Sequence, residues 1–175
     1  ASPGGAIAEA LSTPIDFAGG AVVHINAGAA ALAVALIVGK RDGFGVVPFR
    51  PHHLPFVMLG SALLWFGWFG FNAGSAGAAD AVAGRAFINT VIAPAAAMLA
   101  WLLVERIRDG KPTSLGAASG IVAGLVAVTP AASAVDSFGA LAIGVAAGVL
   151  CALSVTLKYR FGFDDSLDVV GVHLV

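Results

Sequence analysis

Five long stretches of this sequence contain no Asp, Glu, Lys or Arg: 17–39, 54–79, 86–104, 112–135 and 137–157. A helix needs roughly 20 apolar residues to cross ~30 Å of hydrocarbon, and each stretch reaches or approaches that length. A sixth apolar stretch starts near Ser166 and runs to Val175. Few architectures tolerate such runs. In lipid, only helices and closed barrels satisfy every backbone polar group internally, and runs of this length are helical rather than strand-like. Composition agrees. The chain is 59% hydrophobic and 11% charged, against about 25% charged in a typical soluble domain. The reading is a single all-α, polytopic membrane helix bundle, with spans near 16–39, 54–75, 86–106, 113–131 and 137–158 and the start of another at 166–175. The chain begins at Ala1 and ends in an apolar run, so it is expected to be an internal piece of a longer protein.

The same composition excludes other classes. Nine Lys/Arg against ten Asp/Glu leave a net charge of −1, so no basic face is offered to nucleic acid. Cys151 alone makes neither a disulfide framework nor a cysteine metal site. No Ser/His/acid set suggests a hydrolase. The expectation is therefore no enzyme activity, no metal and no cofactor.

The basic residues fix an orientation. Lys40, Arg41 and Arg50 fall in one loop, Arg106, Arg108 and Lys111 in another, Lys158 and Arg160 in a third. Short loops rich in Lys and Arg stay cytoplasmic. This places 40–53, 105–112 and 158–165 inside and residues 1–15 outside, with Arg85 as the one outer cation.

Polar residues at membrane depth carry functional information, because burying them is costly. His24 lies ~12 Å into the first span and His173 ~10 Å into the last, at 1.5 Å per residue. They approach the midplane from opposite sides, so they meet if those helices are neighbours. Each alone also fits a satisfied interhelical hydrogen bond. Trp68, Phe71 and Ser75 share one stripe at i, i+3 and i+7. Aromatic faces attract small cations, and a Ser oxygen accepts from an N–H donor; helix packing is the plain alternative. Asp16 and Asp168 read first as capping residues, in Thr13-Pro14-Ile15-Asp16 and in 165–168. Their functional alternative is a negative charge near a pore mouth. His52 and His53 read as an interfacial turn. Gly116/Gly120/Gly124, Gly70/Gly74 and Gly144/Gly148 repeat at spacing four, which lets helix backbones approach closely. Pro94 is expected to kink the third span.

Three segments carry a resemblance. Asp16-Phe17-Ala18-Gly19-Gly20 with Val23-His24-Ile25-Asn26, then Gly67-Trp68-Phe69-Gly70-Phe71-Asn72-Ala73-Gly74-Ser75-Ala76-Gly77, then Asp168-Val169-Val170-Gly171-Val172-His173 resemble the ammonium transporter (Amt/Mep/Rh) family, on its bacterial side. Pro51-His52-His53-Leu54-Pro55 and the stretch 116–130 also fit. The resemblance implies an eleven-helix, inverted-repeat fold, of which this chain holds helices five to nine and the start of the tenth. It implies a homotrimer with one hydrophobic pore per subunit and ammonium or ammonia as cargo. A PII-type regulatory protein is implied at the cytoplasmic face. By resemblance, His24 and His173 are the twin histidines at the pore centre. Phe71 is one of two gate phenylalanines, Ser75 is the hydroxyl of the outer recruitment site, and Trp68 lines the pore. Asp16 acts near the outer site by electrostatics and structure. An ammonium sensor on the same scaffold is the nearest alternative. A bis-His haem protein is a distant one.

Overall fold

The computed structural model describes residues 14–175, and all regular structure among them is helical. The long helices are α1 (Gly20–Val38), α2 (Leu54–Asn72), α3 (Ala81–Arg108), α4 (Ser114–Val128) and α5 (Ser137–Ser154). A short α6 (Leu157–Phe161) follows, then a π-helical turn, Val170–Leu174. 3-10 turns extend α2 over Ala73–Ala76 and α4 over Thr129–Ala131. Five of these helices are long and apolar enough to cross a membrane.

Most helix starts follow from a polar side chain that satisfies free N–H groups. Asp80 accepts from the N–H groups of Val82 and Ala83, Thr113 from Gly116, Asp136 from Gly139, and His53 Nδ1 from Phe56. α3 thus begins at Ala81, five residues before the charge-free run predicts. Arg85 sits inside its first turns, reaching the Ser133 carbonyl. Arg85 therefore lies within α3 and not in the loop before it.

Two capping expectations are corrected. α1 begins at Gly20, not near residue 16: Asp16 precedes the helix and caps it from outside, accepting from the N–H groups of Ala21 (3.0 Å) and Val22 (3.3 Å). Thr13, the expected cap residue, and the outer tail up to it lie outside the described residues. At the last segment Asp165, not Asp168, takes the free N–H groups, those of Val169 (3.1 Å) and Val170 (2.7 Å). Asp168 has φ 59° and pairs with Lys158 Nζ at 2.5 Å.

α3, α4 and α5 form the packed centre. Their seam is built from small residues. A Cβ on Gly124 would lie 2.7 Å from the Ala93 carbonyl oxygen, and one on Gly144 or Gly148 would overlap the Ala93 or Ala97 carbonyl. Backbone therefore lies against backbone, as the spacing-four glycines predict. Gly70 and Gly74 meet nothing within 4 Å among the described residues. α1 packs chiefly on the π turn, and α2 on α4. At the end carrying residues 105–116, Glu105 is buried and accepts from the N–H and hydroxyl of Thr113 and from the Trp101 indole.

Candidate functional site

His24 and His173 are 149 residues apart and touch: Nδ1 to Nδ1 is 3.0 Å, with ring centroids 5.1 Å apart. A close approach of backbones makes this possible. One turn beyond His24, a Cβ on Gly28 would lie 2.7 Å from the Leu174 Cβ and 2.9 Å from its backbone nitrogen. Only glycine lets α1 run this near the π turn. That turn is held from behind by α5, where the Ser154 hydroxyl donates to the Gly171 carbonyl at 2.8 Å. π turns lack regular i→i−4 pairing, and this carbonyl finds its donor on a neighbouring helix.

A hydrogen bond between two Nδ1 atoms constrains both rings. One must carry hydrogen on Nδ1 and the other must present a lone pair there. The pair is therefore asymmetric, and exchange of that hydrogen exchanges the roles. His24 Nε2 is buried with no partner among the described residues. The geometry does not suit an iron held between the two Nδ1 atoms. A metal–nitrogen bond is about 2 Å, so an iron between these atoms would force them apart. Among the described residues there is no cluster of three metal-ligating side chains.

Two aromatic rings from α2 lie against His24. Trp68 stacks on His24 at 5.6 Å between centroids and 7° between planes. Phe71 presents its edge to His24 at 6.5 Å and to Trp68 at 5.4 Å. Trp68 is buried and its indole N–H donates to Thr129 Oγ1 at 2.8 Å, whose hydroxyl donates in turn to the Leu125 carbonyl. Ser75 stands apart on the exposed 3-10 turn, donating to the Phe71 carbonyl at 2.7 Å. Its oxygen lone pairs stay available to an N–H donor. Asp16 lies at the same end, engaged in capping α1.

Three hollows meet at the histidines. One of about 340 Å³ is lined by His24, Trp68, Phe71, Leu63 and Leu64. A second, about 600 Å³, runs from His173 past Ser61, Ser119 and Ser166 to Arg50, His52 and His53. A third, about 390 Å³ and apolar, touches both imidazoles and Cys151.

Charged groups lie away from the pair, toward the 40–53 and 158–168 segments. Arg41 forks onto Asp164, Nε and Nη2 each at 2.7 Å, and its backbone N–H adds 2.9 Å. That guanidinium holds the Asp164 carboxyl down at about 2. Lys158 joins Asp168 to the Asp165 carbonyl. Asp168 thus faces an ammonium group, not His173.

Sequence reasoning brings forward the histidines, Trp68 and Phe71. It misses Thr129 and the Arg41–Asp164 pair. Thr129-Pro130 reads only as the end of a helix, although a threonine at membrane depth beside a tryptophan stripe is a signal for a hydrogen-bonded indole.

Comparison with known proteins places the chain. Residues 3–175 match the Ammonium Transporter Family. An ammonium transporter of Mycobacterium tuberculosis (strain ATCC 25618 / H37Rv) is 69% identical over 175 residues, covering 100% of this chain and 36% of that protein. One of Bacillus subtilis (strain 168) is 53% identical, covering 91% and 39%. The crystal structure of Candida albicans Mep2 superposes with a TM-score of 0.85 at 40% identity, covering 91% of this chain and 36% of that one. The chain thus spans little more than a third of these relatives' length. They are transporters rather than enzymes, and the five apolar helices are those of a multi-pass plasma-membrane protein. The chain belongs to the ammonium transporter family.

Proposed function

We propose that the protein carrying these residues recruits ammonium on the outer face, removes its proton and passes ammonia through a hydrophobic pore at His24 and His173. The observation that supports this is the imidazole pair, bonded at 3.0 Å where the hollows meet, with Trp68 and Phe71 against His24.

The physics favours splitting the ion. Burying an intact ammonium in an apolar path costs tens of kcal/mol by Born solvation. Ammonia is neutral and pays little. Potassium has a similar size but no proton to lose, so the deprotonation step rejects it. Ser75 accepts a hydrogen bond from the arriving ion. The faces of Trp68 and Phe71 attract it, and Phe71 gates entry. The histidine pair accepts a hydrogen bond from ammonia and relays the proton along a linked path through the hydrogen its Nδ1 atoms share, giving net charge movement. Asp16 contributes negative charge near the entrance while capping α1, and Asp168 supports the segment below His173. Residues 1–15 lie outside and the loops 40–53, 105–112 and 158–165 inside. The protein works as a homotrimer, with a PII-type protein as cytoplasmic partner.

The test is ammonium-evoked current from full-length protein in proteoliposomes. His24→Ala and His173→Ala should each lower the current by about tenfold or more, or admit potassium. Wild-type currents with potassium still excluded would overturn the relay. A wild type that binds ammonium but passes no current would be a sensor instead.

A further inference from the structure

α2 carries the rings that lie against His24, and among the described residues much of its apolar surface meets no other helix: Leu63 and Leu64 face the hollow beside His24, and Phe66 is exposed. In lipid, apolar surface gives little drive for one helix to choose its rotation against another; small-residue packing and hydrogen bonds do. α2 shows no small-residue seam, since Gly60, Gly67 and Gly70 meet nothing within 4 Å among the described residues. Its polar attachments are three side-chain N–H donors on one stripe, Trp65, Trp68 and Asn72, at i, i+3 and i+7.

Two of the three enter one residue of α3. The Trp65 indole N–H donates to the Thr90 carbonyl at 2.8 Å, and Asn72 Nδ2 donates to Thr90 Oγ1 at 3.0 Å. The Thr90 hydroxyl donates onward to the Ala86 carbonyl at 2.6 Å. The carbonyl is free because of Pro94. In a helix the N–H of residue 94 would bond the carbonyl of residue 90, and proline has none. α3 runs unbroken through Pro94, so the proline makes a socket here, and an indole from α2 fills it. Thr90 and Asn72 are both fully buried, and Asn72 Oδ1 has no partner among the described residues.

We infer that Thr90, with the Pro94-freed carbonyl, is a positioning residue that sets the rotation and height of α2, and so places Trp68 and Phe71 on His24. This rests on the transport reading above. Successive helix residues differ by about 100° in direction, so even a partial turn of α2 moves the Trp68 plane off the imidazole. Trp65 and Asn72 bracket Trp68 by one turn on each side, and both bonds end on Thr90.

The experiment uses full-length protein in proteoliposomes with 5-fluorotryptophan incorporated, the Trp68 signal being assigned through Trp68→Phe. Thr90→Val keeps the shape and removes the hydroxyl. It should lower the ammonium rate per inserted molecule by about tenfold, leave half-saturation within about twofold, and shift the Trp68 fluorine resonance. Thr90→Ser should restore both rate and resonance. If Thr90→Val fails to insert, Trp65→Phe makes the same test from the other partner. An unmoved Trp68 resonance, or an unchanged rate per molecule, overturns the inference. So does a loss confined to the amount of inserted protein. A wild type without ammonium transport overturns the functional reading instead, and the Trp68 resonance still decides where Thr90 puts the ring.

Discussion

Thr129 shows how much one hydroxyl organises. Its oxygen accepts from the Trp68 indole and its hydrogen goes to the Leu125 carbonyl. Its methyl group fills the space where a Cβ on Gly20 would stand, 2.5 Å away. It therefore joins the start of α1, the middle of α2 and the end of α4. Thr129→Val should leave the indole N–H buried without an acceptor, at a cost of about 1 kcal/mol. Thermal unfolding in detergent measures that, and Thr129→Ser should recover most of it. A valine variant as stable as wild type would mean the indole finds another acceptor. Gly20→Ala should be worse than its size suggests, because the added methyl displaces the threonine that holds Trp68.

Among the elements, the spacing-four glycines other than Gly116, which lies against the Glu105 carboxylate, sort into two kinds that sequence does not separate. Gly120, Gly124, Gly144 and Gly148 lie against the backbone of α3 around residues 93–101, whereas Gly70 and Gly74 face open space among the described residues. Both groups have the same spacing. What differs is whether another helix lies opposite. Gly148→Val should push α5 off the Ala97 carbonyl and cost about 2–3 kcal/mol, the usual penalty of overpacking. The yield of folded protein and its unfolding temperature check this. Wild-type values would show that α3 and α5 can separate freely. Pro94 carries the same lesson. Read from sequence it predicts a kink, because a helix interior loses one hydrogen bond there. In the structure α3 spans the proline, and the carbonyl left without its helical partner accepts from the Trp65 indole.

Across the whole molecule, two loops far apart in sequence are clasped. Arg41 and Asp164 join the segment after α1 to the segment before the π turn, and those elements carry His24 and His173. The clasp fixes the far ends of the two elements that must meet. Asp164→Asn should cost about 2 kcal/mol, the worth of hydrogen bonds to a charged group. The pH dependence has a definite sign. The folded carboxyl titrates at about 2, below its ordinary value of 3.8. Its contribution is therefore complete above about pH 4 and is lost as pH falls from there toward 2. The difference in unfolding temperature between wild type and Asp164→Asn should stay constant from neutral pH to about 5 and close below 4. A gap already shrinking at neutral pH would assign the stabilisation to another group.

The sequence by itself determined the five long apolar helices and set an expectation for the depth of the polar residues. Long charge-free runs have one physical solution in lipid, and 1.5 Å per residue converts position into depth. It also put His24 and His173 at matching depths from opposite sides. Only the tertiary structure decided that they touch, because depth says nothing of which helices are neighbours. That depended on Gly28 meeting Leu174 and on Ser154 holding the Gly171 carbonyl. The rotation of α2 was likewise hidden. Apolar surface alone gives a helix in a membrane little preference for one rotation, and the hydrogen bonds of α2 to Thr90 and Thr129 run to partners that no local pattern names.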